Sequence, residues 1–131
     1  MKCVIVTPEK TIFDKEVTFV TVPLYDGEYG IAVNHTPVIG RIGAGELRIT
    51  LSDDKKVCFY IEGGFVEVLA NTVTILTNQA SSIENMDKAK AQDNLKSVLA
   101  RSARSNEQFV NKVNALKKAR AKLHFVEKYS K

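Results

Sequence analysis

The sequence predicts an α+β protein, in which an N-terminal antiparallel β-sandwich is followed by a C-terminal two-helix antiparallel hairpin. Short apolar segments with a period of two residues, separated by turn residues, follow one another up to about residue 80. Beyond Ala80, glycine and proline disappear, alanine and lysine become frequent, and the period shifts towards 3.6. We therefore predict a sandwich domain over residues 1–82 and a helical domain over residues 83–131.

The predicted strands alternate between an apolar and a polar face, as half-buried strands do. Pro23 is expected to end one of them, because proline lacks the amide donor that a central strand needs. The pair Ala70-Asn71 is expected to turn the last hairpin. Strands are predicted over residues 2–7, 11–13, 17–22, 47–51, 57–61, 65–69 and 72–77.

The glycine-rich stretch over residues 25–49 is the most distinctive part of the chain. It places five glycines, an Asn-His pair and a proline between short apolar pieces. Such a composition predicts a close succession of turns joining brief strands, because glycine supplies the positive φ angles that tight turns need. No nucleophile with a base lies within the stretch, so it is interpreted as a surface offered to a partner.

Two helices are predicted after residue 82. Asp87 is expected to cap the first, and a break over residues 102–106 precedes the second, where Ser105 and Gln108 resemble a capping box. One side of the first helix is expected to contain Met86, Ala89, Leu95, Val98 and Leu99. One side of the second helix is expected to contain Phe109, Val113, Leu116, Arg120 and Leu123. Such a hairpin is too small for a core of its own, so we expect it to pack on the sandwich or on a partner.

Charge is distributed unevenly between the two predicted domains. Residues 1–80 contain seven basic and ten acidic side chains, a balance of −3, whereas residues 81–131 contain twelve and five, a balance of +7. The cationic segment predicts an anionic partner, which on charge alone is nucleic acid, acidic lipid or an acidic protein surface.

Cysteine content and hydropathy indicate the redox compartment of the protein and how it could associate with a membrane. Cys3 and Cys58 are expected to be two buried thiols in a reducing compartment, with a disulfide as the alternative. The apolar run at residues 1–6 is too short for a signal peptide or a membrane span, and no other run reaches the required length. Any membrane association is therefore expected to be indirect.

The sequence predicts no catalytic residue and no metal site. His35 and His124 are the two histidines, and neither lies in a pattern that pairs it with a nucleophile or with other metal ligands. The carboxylates of Asp53 and Asp54 lie in a polar turn, where a solvated hairpin tip is the simplest interpretation.

Two motifs resemble a known family. The run DGEYGIAVNHTPVIGRIGAGELRI, residues 26–49, and the run GGFVEVLANTVTILTNQA, residues 63–80, are similar to segments of the epsilon subunit of F-type ATP synthases. The helical tail resembles that family's hairpin in place and composition. The resemblance implies a non-catalytic subunit of the rotating central stalk, which couples proton flow, or in some species sodium flow, to ATP synthesis.

The resemblance also implies partners and a location. The sandwich would bind the gamma subunit and the ring of c subunits, and the tail would reach the alpha and beta subunits. Membrane association would come only through the complex, on the cytoplasmic face of a bacterial inner membrane or the stromal face of a thylakoid, and no nucleic acid is expected. The implied contact with the c ring lies at one end of the sandwich and consists of Asp26, Gly27, Glu28, Tyr29, Asn34 and His35.

The family's tail is a regulatory element with two arrangements, and the resemblance implies the same here. Folded, the hairpin packs on the sandwich; extended, it lies along gamma and opposes ATP hydrolysis. The cationic surplus suggests contact with an acidic segment of the beta subunits. The candidate residues are Lys112, Lys117, Lys118, Arg120 and Lys122.

Some family members bind ATP on the folded hairpin through an Ile/Leu-Asp-x-x-Arg-Ala motif, from which this sequence departs. Met86 replaces the aliphatic residue and Lys90 replaces the arginine. Lysine cannot reproduce the planar fork that a guanidinium offers to phosphate oxygens. No cofactor is therefore predicted, and ATP stays open only as a regulatory ligand, for which the candidates are Asp87, Lys90, Arg101 and Arg104.

Two other classes of function stay open on the sequence alone. A nucleic-acid-binding protein would use the cationic hairpin, but the tail offers only Phe109, Phe125 and Tyr129 as aromatic residues and no recognised reading motif. A soluble ATP sensor would bind ATP directly. Salt-sensitive DNA binding would indicate the first, and calorimetry with ATP and magnesium the second.

Overall fold

A computed structural model describes residues 1–129, and contacts divide the chain into two compact units. The first unit is Met1–Ser81 and the second begins at Ser82. The last two residues of the predicted helical domain, Ser130 and Lys131, lie outside the described residues.

The first unit is a β-sandwich, as predicted. Its core is formed by side chains that alternate along the strands. One row crosses three strands: Val20 pairs with Ile31 on one side and with Ile49 on the other, and all three residues are fully buried. The nine strands are β1 (Lys2–Val6), β2 (Thr11–Leu24), β3 (Gly27–Ala32), β4 (Val38–Arg41), β5 (Ala44–Leu51), β6 (Lys56–Glu62), β7 (Phe65–Leu69), β8 (Thr72–Leu76) and β9 (Ala80–Ser81).

The long strand β2 belongs to both layers of the sandwich. Its first part pairs with β1, where Phe13 opposes Ile5, and its second part pairs with β3 and β5. The sequence predicted two separate strands here, with an end at Pro23, and this was wrong. Pro23 lies within β2 opposite Glu28 of β3, and its carbonyl accepts a hydrogen bond from the amide of Gly43. Because Pro23 lies near the end of the strand, the missing donor is tolerated there.

The strand pairs are antiparallel except one. The order is β4-β7-β8-β1-β2-β5-β6-β9, with β3 on the other side of the second part of β2. β1 and β8 are parallel, and Cys3 opposes Val73 between them. The N-terminal strand therefore closes the first layer between β8 and β2, a pairing that adjacent hairpins alone could not produce.

The β7–β8 hairpin turns at Ala70 and Asn71, as predicted. Both residues have left-handed backbone conformations, with φ angles of 51° and 58°, and Leu69 pairs with Thr72. This is the pattern of a two-residue turn whose twist matches that of the flanking strands. The turn holds the amide of Lys2 as well, through the Asn71 carbonyl at 3.2 Å.

The second unit contains the two predicted helices, preceded by a single 3₁₀ turn over Ile83–Asn85. Helix α1 is Lys88–Leu99 and helix α2 is Asn106–Tyr129. Asp87 caps α1 as predicted, because its Oδ1 accepts from the amides of Ala89 at 2.8 Å and Lys90 at 3.3 Å. At the start of α2, the Ser105 hydroxyl accepts from the Gln108 amide at 3.1 Å, which confirms half of the predicted capping box.

The buried side of each helix differs in part from the prediction. In α1 the buried residues are Ala91 and Val98, whereas Ala89 and Leu99 are exposed. In α2 the buried residues are Ala119, Phe125 and Val126, whereas Phe109 and Arg120 are exposed. Ala89, Leu99, Phe109 and Arg120 were expected on the same side as the other selected residues of their helices, and they lie outside the buried rows, because periodicity fixes the spacing of a face but not which of two neighbouring rows becomes buried.

Both cysteines are present as thiols, and Cys3 is fully buried in the sandwich core while Cys58 is half-buried. Burial, with a smaller contribution from the charge of Asp14, raises the pKa of Cys3 from 9.0 to about 12. The unfolded chain therefore loses a thiol proton above about pH 9 that the folded chain keeps until about pH 12. Stability from this group is complete below pH 9 and falls as the pH rises through that window.

We expect the free energy of unfolding to fall by about 2 kcal/mol more in the wild type than in Cys3→Ala when the pH is raised from 8 to 10.5. Urea unfolding at the two pH values measures this difference. Tyr60, whose pKa is also raised by burial and by its hydrogen bond to Glu62, contributes equally to both proteins and cancels. Equal pH dependence in the two proteins would contradict the assignment to Cys3.

Candidate interaction surfaces

The β2–β3 hairpin carries the first predicted contact residues. Tyr25 and Asp26 form its two-residue turn, and Gly27 follows with a φ of 137°, which favours glycine. The Tyr25 amide donates to the Arg41 carbonyl at 2.8 Å, and the Arg41 guanidinium lies 4.8 Å from the centre of the Tyr25 ring. The exposed turn is therefore fixed to the start of the β4–β5 connection.

The six predicted contact residues lie along the length of β3. Asp26 and Gly27 precede or begin the strand, Glu28 and Tyr29 lie within it, and Asn34 and His35 follow its end. Five steps along a strand span about 16 Å. The prediction expected them at one end of the sandwich; the structure spreads them along an edge strand, where unpaired backbone groups are available to a partner.

Tyr29 and His35 are brought together. The Tyr29 hydroxyl lies 2.8 Å from His35 Nε2, and the two rings meet edge to face with 5.4 Å between their centres. On its other side, His35 Nδ1 lies 2.6 Å from the Thr36 carbonyl. Because a carbonyl only accepts, Nδ1 carries a proton and donates to it. The imidazole is thus fixed at both nitrogens.

Glu28 is paired with a residue that the sequence analysis did not select. Arg48 Nη1 lies 3.0 Å from Glu28 Oε2 and 2.8 Å from Glu46 Oε1. The hydrogen bond with Glu46 is the main cause of a raised pKa at Arg48; burial opposes it, and the hydrogen bond with Glu28 adds a smaller increase. The alternation of β5 placed Arg48 on the polar face, but its alignment with Glu28 across β2 depends on strand pairing that the local pattern does not contain.

The five cationic candidates on α2 do not form one stripe. Lys112 is half-buried, and its ammonium donates to the Arg101 carbonyl at 2.8 Å, so it ties α2 to the segment that follows α1. Lys117 and Arg120 are three residues apart and share one side, whereas Lys118 and Lys122 are four apart and share another. The cationic charge therefore surrounds much of the helix.

The four candidates for ATP binding are not brought together. Asp87 and Lys90 lie at the start of α1, where Asp87 serves as the helix cap. Arg101 and Arg104 follow the end of α1, and twelve helical residues span about 18 Å. Among residues 1–129, no group of three or more histidine, cysteine, aspartate or glutamate side chains is placed to hold a metal ion.

An exposed apolar face was not predicted. Ile39 of β4 pairs with Glu67 of β7, and Phe65 of β7 pairs with Leu76 of β8. These side chains lie on the side of the three strands that faces away from the core. Apolar residues occupy both sides of β7, and that departure from alternation was the available signal. The outer apolar face consists of Ile39, Phe65, Leu69 and Leu76, which are between 50% and 71% exposed.

Within residues 1–129, neither α1 nor α2 is long and apolar enough to cross a membrane.

Comparison with known proteins gives concordant results. Residues 1–83 match the family described as ATP synthase, Delta/Epsilon chain, beta-sandwich domain. The ATP synthase epsilon chain of Rhodopirellula baltica is 36% identical over 124 residues, which cover 94% of this chain and 95% of that protein. The epsilon chain of a Synechococcus strain is 35% identical over 130 residues, which cover 97% and 93%.

Solved structures share the fold at lower identity. A chain in the Euglena gracilis mitochondrial ATP synthase structure of OSCP, F1 and the c-ring superposes with a TM-score of 0.82 at 23% identity, covering 91% of this chain and 76% of that one. A chain in the central stalk and c-ring structure of Tetrahymena thermophila mitochondrial ATP synthase has a TM-score of 0.74 at 17% identity, with 96% of each chain covered.

Proposed function

Because the chain belongs to the ATP synthase delta/epsilon family and matches epsilon chains over nearly its whole length, we propose that it joins the gamma subunit to the c ring. Epsilon chains are stalk subunits without an active site of their own, and this chain is a non-catalytic component of ATP synthase. Its role is then mechanical and regulatory, and we interpret its exposed surfaces as contacts with other subunits of the complex.

Gamma is proposed to pack on the outer apolar face of β4, β7 and β8. Four large apolar side chains lie there, exposed to solvent in the isolated chain. Exposed apolar area of this kind is characteristic of interaction sites, and burying it against a partner is favourable by about 25 cal/mol per Å². Phe65 and Leu76 form a cross-strand apolar pair at the open end of the β7–β8 hairpin, and the pair of Glu67 and Thr74 separates them from Leu69.

The c ring is proposed to meet the edge formed by β3 and the turn after it. Glu28, held by Arg48, and His35, held by Tyr29 and Thr36, present polar groups in fixed positions along this edge. Fixed polar groups lose little conformational freedom on association, which suits a contact with the polar loops of a membrane ring. The complex would then stand on the cytoplasmic face of a bacterial inner membrane or the stromal face of a thylakoid.

The helical hairpin is proposed to regulate hydrolysis. Its net charge of +7 over residues 81–131 gives it an electrostatic attraction for acidic surfaces of the alpha and beta subunits. Lys112 closes the hairpin through the Arg101 carbonyl, so any arrangement that moves α2 away from the end of α1 breaks this bond. The other candidate cations on α2 are proposed to meet the acidic partner when the tail is extended.

The assignment is tested by co-expression with gamma. We expect the wild-type chain and gamma to co-purify at moderate salt, and the variant Phe65→Ser with Leu76→Ser to bind about fivefold more weakly, because each change removes about half a kilocalorie or more of apolar contact. Tyr25→Ser serves as a control, since Tyr25 is an exposed aromatic residue outside this face. Affinity is measured by titration, and folding by circular dichroism.

Two results would contradict these proposals at different levels. Equal affinity of the double variant and the wild type would place the gamma contact elsewhere on the sandwich. Failure of the wild-type chain to bind folded gamma would contradict the role in the stalk, and the cationic hairpin would then be tested for DNA and ATP binding.

A further inference from the structure

Two left-handed turns meet at one end of the sandwich. Asn34 follows β3 with a φ of 64°, and Asn71 turns the β7–β8 hairpin with a φ of 58°. The backbone amide of Asn34 donates to the side-chain Oδ1 of Asn71 at 2.8 Å. A hydrogen bond of this length links two turns that are 37 residues apart in sequence and belong to different layers.

Asn71 is itself well anchored. Its carbonyl accepts from the Lys2 amide, and the residues on either side of the turn, Leu69 and Thr72, pair with each other. Thr72 also opposes Lys2 in the parallel pair of β8 with β1. The Oδ1 acceptor is therefore carried by a backbone that three strands hold in place.

The turn after β3 receives support from the opposite side as well. The His35 amide donates to the Ala32 carbonyl at 3.2 Å, and the His35 ring is fixed between the Tyr29 hydroxyl and the Thr36 carbonyl. These bonds hold His35 but leave the Asn34 amide to Asn71. The Ala32–His35 bond closes the turn that contains Asn34, and the bond from the Asn34 amide to Asn71 holds the same turn from outside.

We propose that Asn71 is a positioning residue for residues 33–36, which keeps Asn34 and His35 in the conformation offered to the c ring. This inference rests on the proposed contact with the ring. Asparagine meets both requirements of the position, because it tolerates the left-handed backbone and carries an acceptor oxygen three bonds from its Cα. Asn71 acts through Asn34 and need not touch the ring.

Two substitutions separate the acceptor from the backbone. Asn71→Gly keeps the left-handed turn but removes Oδ1, whereas Asn71→Asp keeps both an acceptor and a tolerated backbone. In the full chain, Asn71→Gly is expected to speed hydrogen exchange at the Asn34 amide about tenfold, corresponding to the loss of one hydrogen bond. Asn71→Asp is expected to exchange at the wild-type rate. NMR measures exchange at this single amide.

The same variants are then assembled with gamma and titrated against detergent-solubilised c ring. Asn71→Gly is expected to bind about threefold more weakly, with Asn71→Asp restoring wild-type affinity. Unchanged exchange at the Asn34 amide in Asn71→Gly would overturn the inference. So would faster exchange with unchanged ring affinity, provided that His35→Ala weakens ring binding. If His35→Ala and Glu28→Gln have no effect either, the proposed ring contact has failed, and with it the role of Asn71 in that contact.

Discussion

Replacing Glu28 with glutamine and His35 with alanine together is expected to weaken the association of the chain with the c ring about thirtyfold. Each change removes a polar group that the folded chain holds in a fixed position, through Arg48 in one case and Tyr29 in the other. Two central polar contacts of about 1 kcal/mol each account for a loss of this size. The measurement is a titration of the gamma-bound chain against detergent-solubilised c ring.

The matched control makes the same two chemical changes elsewhere, as Glu9→Gln with His124→Ala, since both residues are exposed and lie outside the β3 edge. The two single variants show which part of the edge carries the contact, because Glu28 lies near the beginning of β3 and His35 beyond its end. Full retention of binding by the double variant would place the ring contact on another part of the sandwich.

Removing the chain after Ser82 is expected to raise ATP hydrolysis by the assembled enzyme about tenfold while ATP synthesis continues. The shortened chain keeps all nine strands, since β9 ends at Ser81. A tenfold change corresponds to about 1.4 kcal/mol of bias between an inhibited and an active arrangement. Hydrolysis and synthesis are measured on the same membrane vesicles carrying the assembled complex.

A second variant tests whether charge or bulk is responsible. Exchanging Lys117, Lys118, Arg120 and Lys122 for glutamine keeps α2 but removes four positive charges, and Lys112 is left in place because it closes the hairpin. We expect this variant to raise hydrolysis nearly as much as truncation, with an effect that shrinks at high salt. Unchanged hydrolysis after truncation would contradict an inhibitory tail in this protein.

The sandwich was predictable where alternation was regular and turns had strong signals. The strands around residues 47–51, 65–69 and 72–77 and the turn at Ala70-Asn71 follow directly from the pattern. The continuity of β2 through Pro23 could not be predicted. A local rule about proline does not include the pairing of Pro23 with Glu28 or the hydrogen bond that the Pro23 carbonyl accepts from Gly43. Likewise, β3 and β4 were hidden in the glycine-rich stretch, where each strand is too short for a clear period.

The site residues divide in the same way. Asp26, Glu28 and His35 could be selected because turn chemistry and the family resemblance both indicated them. Arg48 and Asn71 could not, since each acts on its partner across strands that are distant in sequence. The outer apolar face was visible only as a departure from alternation in β7, and a short strand with apolar residues on both sides is equally typical of a fully buried one.

The pairing of β2 with both layers of the sandwich has a mechanical consequence for a subunit of a rotating stalk. The β3 edge and the outer face of β4, β7 and β8 belong to different layers, and β2 is the one covalent segment paired into both along its length. A twisting load that enters at one layer and leaves at the other would have to shear the layers past each other. Because a single backbone of fourteen residues is hydrogen-bonded into both, sliding of this kind would require breaking strand pairs on both sides of it at once. We therefore expect the sandwich to transmit torque as one stiff unit.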